Sequence, residues 1–185
     1  VIITNLYYEC SALYFFEFND IHKALEYVQL AIVHGCNNFP DMDYLSNPEF
    51  DEIMYTYDLI EPFTLKAYLL YMLYRESNMY TGLKSSFECQ EIAIKLYERK
   101  LLEITEENEG LNLADRKSIA LNNAVWYATS LYLATNDMAY AEKAFQFAEK
   151  SKMQLLLIKS RKHYHMQQAG LPVNLIEQEQ RIGKV

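Results

Sequence analysis

A pattern that occurs twice constrains this chain more than anything else in it. Asn19-Asp20-Ile21-x-x-Ala24-x-x-x-Val28-x-x-Ala31 returns as Asn136-Asp137-Met138-x-x-Ala141-x-x-x-Phe145-x-x-Ala148, with small and large apolar residues in the same order at the same offsets. Alanines seven apart with a larger residue between them draw a narrow, close-packing stripe along a helix. The Asn-Asp ahead of it supplies a tight turn and a helix start. Such a helix needs a partner against its stripe. Two such units predict an all-α fold of antiparallel helix hairpins stacked into a solenoid, an architecture that holds other molecules and does not point to chemistry.

The rest of the chain agrees with helix. It has five Gly and four Pro, at Gly35, Pro40, Pro48, Pro62, Gly82, Gly110, Gly170, Pro172 and Gly183, each at a break in the apolar periodicity. Period-two alternation is never sustained, so no sheet is expected. A first helix is expected over about residues 3–18 and a second up to Gly35. A turn-rich stretch from Cys36 to Pro48 then interrupts the array. A short helical turn is expected between Glu49 and Asp58, and Pro62 suits the first turn of a helix running to about Asn78. After a break over Met79 to Gly82, Ser85 or Ser86 is the expected cap of a long helix. Its Cys89, Ala93 and Leu96 would take the places of Ala24, Val28 and Ala31. The acidic Glu103 to Glu109 and Gly110 close it, and the next helix is expected from about Ala114 to Thr135.

The spacing of the second helices resembles the tetratricopeptide repeat, where a turn and then Ala, a large residue and Ala mark helix B. The family's large positions of helix A fall on Tyr8, Phe15, Val125 and Tyr132, and its small position on Ala12 and Thr129. No Pro follows either helix B, a departure from the family's pattern. The two clear copies stand 117 positions apart, which is not a multiple of that repeat's period of about 34 residues. The middle, about 36–62, is therefore expected to be irregular.

A second resemblance lies in Ala148-Glu149-Lys150-Ser151-Lys152, then Ala169-Gly170-Leu171-Pro172, then Leu175-Ile176-Glu177-Gln178-Glu179. This looks like the end of the tetratricopeptide region of CHAT-domain proteins, where an extended last helix meets a corner and a further helix leads to a caspase-like peptidase domain. The implied organisation is a helical repeat domain over 1–168 and a corner with a linker helix over 169–185, leading to a C-terminal domain outside this chain. The corner also has its own physical basis, since Gly170 suits a left-handed helix end and Pro172 a new helix start. Val173, Leu175, Ile176 and Ile182 would then form a small apolar stripe. The family's catalytic His and Cys belong to the domain that is not in this chain, so the resemblance assigns no catalytic residue here.

Motifs that carry chemistry are missing from the sequence. His34-Gly35-Cys36 sets His and Cys side by side, but adjacent residues do not easily place a thiol on its base, and His-Gly at a helix end is ordinary. His163 and His165 are two apart on a helix and diverge, a poor metal pair. His22 reads as a surface residue of a first helical turn. Asp41, Asp43, Asp51 and Glu52 lack the spacing of a calcium loop. Cys10, Cys36 and Cys89 are an odd number without CxxC spacing and read as structural thiols. No phosphate-binding glycine loop or zinc motif occurs, so no cofactor and no metal is expected.

Charge excludes a further class. The formal net charge is −8, against a general nucleic-acid binder. From Ser151 onward, however, Lys152, Lys159, Arg161, Lys162, Arg181 and Lys184 face only Glu177 and Glu179, so the tail is basic and the body more acidic than the total. The longest apolar run, Ala124 to Ala134, is too short to span a bilayer. Starting at Val1 without methionine, the chain reads as a fragment.

The alignment with the tetratricopeptide helix A places Glu9, Cys10, Leu13, Phe16 and Glu17 on a concave partner groove, with Asn123, Trp126, Tyr127 and Ser130 from the last repeat. The alternative for each aromatic is packing between helices. The resemblance implies a noncatalytic protein-protein interaction scaffold that recognises a protein or peptide partner or regulates an adjoining CHAT peptidase-like domain. The other reading is a free-standing adaptor that binds a peptide in its groove.

Overall fold

The computed structural model describes residues 2–53, 59–104 and 107–168, with side chains over 109–157 in the last stretch. Six helices follow in order: α1 Ile2–Phe16, α2 Ile21–Gly35, α3 Ile60–Ser77, α4 Tyr80–Glu103, α5 Glu107–Thr135 and α6 Met138–Gln168. No strand occurs among the described residues. The closest packing lies within the hairpins α1–α2, α3–α4 and α5–α6, and each hairpin meets the next through α2 on α3 and α4 on α5. First helices also touch one another. Phe15 of α1 meets Tyr68 of α3 edge-on at 5.7 Å, and Tyr71 of α3 meets Tyr127 of α5 at 4.8 Å between ring centres.

Asparagine makes every hairpin turn. Asn19, Asn78 and Asn136 all adopt left-handed backbone, with φ of 51°, 56° and 57°, a conformation that asparagine tolerates better than other side-chain-bearing residues. The N–H groups of Asn78 and Asn136 close the preceding helices onto Tyr74 O and Tyr132 O, each at 2.7 Å. At two turns an aspartate then caps the next helix. Asp20 accepts from Lys23 N at 3.0 Å and Asp137 from Ala139 N at 2.9 Å, each worth about 1 kcal/mol.

The middle turn corrects the expected third copy. α4 begins at Tyr80, so Ser85 and Ser86 lie buried inside the helix and cap nothing. Counted from Asn78, the places of Ala24, Val28 and Ala31 belong to Leu83, Phe87 and Gln90, not to Cys89, Ala93 and Leu96. Gly82 does not break the helix either. A Cβ there would meet Leu70 O at 3.6 Å, an ordinary contact, so α4 starts against the α3 backbone without needing a glycine. Likewise α5 starts before Gly110 and runs through it.

The irregular middle is confined to one connection. Asn78 stands 59 residues after Asn19 and 58 before Asn136, so the turns are almost evenly spaced. The first interval spends its length on the segment after α2, and the second on longer helices. Residues 36–53 form a loop whose ends meet: Cys36 and Ile53 bridge antiparallel, and Asn37 N donates to Glu52 O at 2.8 Å. A single 3-10 turn, Phe50–Glu52, stands where the short helical turn was expected. Gly35 is the last residue of α2, and its bareness serves packing, because a Cβ would come within 2.5 Å of Leu59 Cδ2.

Two side chains in the core, Ser86 and Gln90, have unpartnered polar atoms among the described residues. Gln90 is fully buried on α4, and neither end of its amide has a partner among the described residues. Gln90→Leu is expected to remove that desolvation cost and raise stability by about 1–2 kcal/mol, a melting shift of a few degrees. A lower melting temperature would mean that the amide is satisfied after all.

Candidate functional site

The hairpin register sorts the expected groove residues into three environments. Ten residues before each turn asparagine stand Glu9, Tyr68 and Trp126, all exposed, with Tyr68 at 41% and Trp126 at 68%. Three residues before it stand Phe16, Arg75 and Leu133, exposed as well. Seven-residue spacing puts these positions on one helix face, so α1, α3 and α5 share an open side bearing aromatic and aliphatic groups. One residue further round, burial begins.

Nine residues before the asparagine stand Cys10, Leu69 and Tyr127. Leu69 and Tyr127 are buried where one hairpin meets the next, and Cys10, on the first hairpin, is half-covered. Tyr127 therefore leaves the groove set, because its ring packs on Tyr71. Burial and the neighbouring tyrosines raise its phenol pKa. Asn123 and Ser130 are half-buried, and the Ser130 hydroxyl donates to Trp126 O at 2.9 Å within its own helix. Leu13 on α1 and Glu17 just after it are exposed.

Two hollows flank Glu9. Glu9, Cys10, Ala12, Leu13 and Phe16 of α1, with Glu17 just after it, line one of about 430 Å³, so a single helix and its end form its whole wall. The second, of about 280 Å³, is lined by Asn5, Tyr8, Glu9, Ile60, Glu61, Lys100, Leu113 and Arg116 from four helices. The Arg116 guanidinium donates to the Glu61 carboxylate across it. Tyr8 there is held protonated above its ordinary range, by burial first and then by Glu61 and Glu9. A one-walled hollow suits a macromolecular partner that brings the second wall.

A separate polar cluster lies inside the fold, and no sequence motif announced it. Lys66 on α3 is fully buried, and its ammonium donates to Gln29 Oε1 at 2.7 Å, Ser46 O at 2.6 Å and Asn47 Oδ1 at 2.9 Å. Three protons meet three neutral acceptors. Asn47 also accepts from Cys89 Sγ at 2.9 Å, and its amide donates to Ser85 Oγ at 3.0 Å. Gln29 donates to Asp41 O at 2.6 Å. Burial lowers the Lys66 pKa, while Cys89, Asp43 and Asp41 pull it back up. The cluster pins the 36–53 loop to α2, α3 and α4, and Phe50 continues the attachment beneath Arg99 at 4.5 Å and Lys95 at 5.4 Å.

Neighbouring thiols and acids have structural surroundings. His34 is exposed and stacks on Tyr7 at 5.3 Å, while Cys36 is buried with its thiol pushed up to about 12, chiefly by desolvation. The two do not form a nucleophile and base. Asp41 accepts from Asp43 N at 3.0 Å, and Asp43 from Leu45 N at 2.9 Å, so these acids build turns. Hydrogen bonds from Ser46 and then Asp43 hold the Asp41 carboxyl below its ordinary value. His22 is exposed. The His163 and His165 side chains, the Ala169 to Pro172 corner and the stripe after it lie outside the described residues.

No group of His, Cys, Asp and Glu among the described residues is arranged to hold a metal ion, and no described helix is long and apolar enough to cross a membrane. No family model, curated protein or solved structure matches the chain. The tetratricopeptide and CHAT resemblances rest on the residues alone.

Proposed function

We propose that this chain is a noncatalytic protein-interaction scaffold, a tetratricopeptide-like stack of hairpins whose open face on α1, α3 and α5 receives a protein or peptide. One observation carries the reading. The same register position holds Tyr68 and Trp126 exposed on neighbouring first helices, while the next position round each helix is buried. Large aromatics are costly to leave in water, and Trp and Tyr are the commonest anchors of interfaces.

Peptide display on the intact chain tests this, and ordinary affinities for such a groove are micromolar, around −8 kcal/mol. Trp126→Ala with Tyr68→Ala should weaken selected peptides about 100-fold, from roughly 2–3 kcal/mol of lost anchor energy. Trp126 is mostly exposed, so its loss should leave the melting temperature unchanged, while Tyr68→Ala also loses the edge-on contact with Phe15 and should lower it slightly. Circular dichroism of each single variant separates binding from folding. Unchanged affinity would remove the open face from consideration.

The second reading is a regulatory region for an adjoining CHAT peptidase-like domain. The observation favouring it is that α6 continues as one helix from its repeat stripe through Lys150-Ser151-Lys152 to Gln168, as that resemblance implies. Its test is whether this region, added to a downstream domain, changes that domain's peptidase activity.

A further inference from the structure

Past Ser151, over residues 152–157, α6 is largely uncovered. Ser151 is buried and donates to Asn122 Oδ1 at 2.8 Å, whereas Lys152, Met153, Leu155, Leu156 and Leu157 are all exposed, Leu156 at 68%. Consecutive helical residues point about 100° apart, so three successive exposed leucines leave apolar surface on several sides of the helix. Such a helix is stable only when something encloses it. Its described charge is basic: Lys152 is exposed, pairing within the helix with Glu149 at 2.7 Å, and Lys159, Arg161 and Lys162 follow in sequence.

The complementary surface lies on the same molecule. α1 exposes Ile2, Leu6, Leu13 and Phe16, interleaved with Glu9 and Glu17, and α1 carries no basic residue. On α3 and α5 the positions equivalent to Leu6 and Leu13, which are Leu65, Met72, Asn123 and Ser130, are half-buried, whereas Leu6 and Leu13 on the α1 flank are exposed. It is apolar where the α6 extension is apolar, and acidic where the extension is basic.

We propose that two copies of this chain associate head to tail, with the 152–157 stretch of α6 from one seated on the α1 flank of the other. The contact sets Leu156 and its neighbours against Leu6 and Leu13, with Lys152 facing Glu9 or Glu17. If both copies make it reciprocally, a two-fold dimer closes; if not, an open chain grows. An anionic membrane is the competing occupant. It fits less well, because the leucines surround the helix instead of gathering on one face. Glu9 and Phe16 also border the open face, but the contact otherwise uses residues outside it, and Tyr68 and Trp126 take no part in it.

Sedimentation equilibrium of the whole chain at low and high salt tests it. The mass should rise above the monomer with concentration, less so at high salt. Leu156→Glu and Leu6→Glu, both at exposed positions, should each weaken association at least 10-fold while circular dichroism stays unchanged. Mixed together, the two variants should form a one-to-one heterodimer, because each keeps the surface the other has lost. Glu17→Lys should weaken association too, and Lys152→Glu in that background should restore it in part. A monomer up to about 100 μM at low salt would overturn the proposal, as would association indifferent to both variants. So would binding to phosphatidylserine vesicles with no self-association.

Discussion

Lys66→Met is expected to lower the melting temperature by roughly 10 °C, or to prevent folding at 37 °C. Methionine matches the length of the lysine stem and leaves little cavity. What it leaves are Gln29 Oε1 and Ser46 O without that donor, while Asn47 Oδ1 keeps only the Cys89 thiol. Each buried acceptor left unsatisfied costs about 1–3 kcal/mol, and a chain of this size loses roughly 2–4 °C per kcal/mol. The damage should concentrate in the loop. Hydrogen exchange and proteolysis near Asp41 to Asn47 should speed up well beyond the global change, because Lys66, Gln29 and Asn47 hold that segment to the helices. Gln29→Leu in the same background should cost much less than it does alone, the sign of a shared network. A Lys66→Met protein with wild-type stability and loop protection would mean that the ammonium contributes nothing net.

The way this lysine escaped the sequence shows where reading stops. Phe63, Lys66, Ala67 and Leu70 stand at helical spacing on one stripe, so the signal was a cation at an apolar position of α3. Its acceptors come from Gln29 on the preceding hairpin and from a loop without periodicity, and spacing cannot show which carbonyls a loop will present. The hairpins with Asn-Asp turns were legible because turn, cap and stripe are local. The middle one was not, since Asn78 is followed by Met79 instead of Asp, and Gly82, Ser85 and Ser86 imitate a break. The groove was half legible. Trp126 and Tyr127 are neighbours of similar character, and only the packing of Tyr71 decides that one is covered and the other open.

Stability should fall as pH rises past 9, with no matching loss toward neutral pH. Cys36 and Cys89 have ordinary thiol values of 9.0 and are pushed up in the fold, chiefly by desolvation, to about 12 and about 11. Tyr97 rises from 10.0 to about 12 by burial and then by Glu61. For each acid with a raised folded pKa, the unfolded chain gives up its proton first. Stabilisation is complete below the unfolded value and is lost as pH climbs toward the folded one. Each group in that window costs about 1.4 kcal/mol per pH unit. Lys66 works in the opposite sense. Its folded pKa is lowered from 10.5, so the unfolded chain holds that proton more tightly, and stability gains from Lys66 as pH rises through the folded value up to 10.5. The net loss should therefore be shallow between pH 9 and 10.5 and steep above it, where the thiols and Tyr97 act without opposition. Urea titrations at half-unit steps from pH 8 to 11.5 measure this slope. Thiolate absorbance near 240 nm in the folded protein gives an independent check, because Cys36 and Cys89 should stay protonated below pH 10. A stability curve flat to pH 11, or Cys36 and Cys89 ionising near pH 9, would show that the interior around Lys66 and Cys89 is open to water.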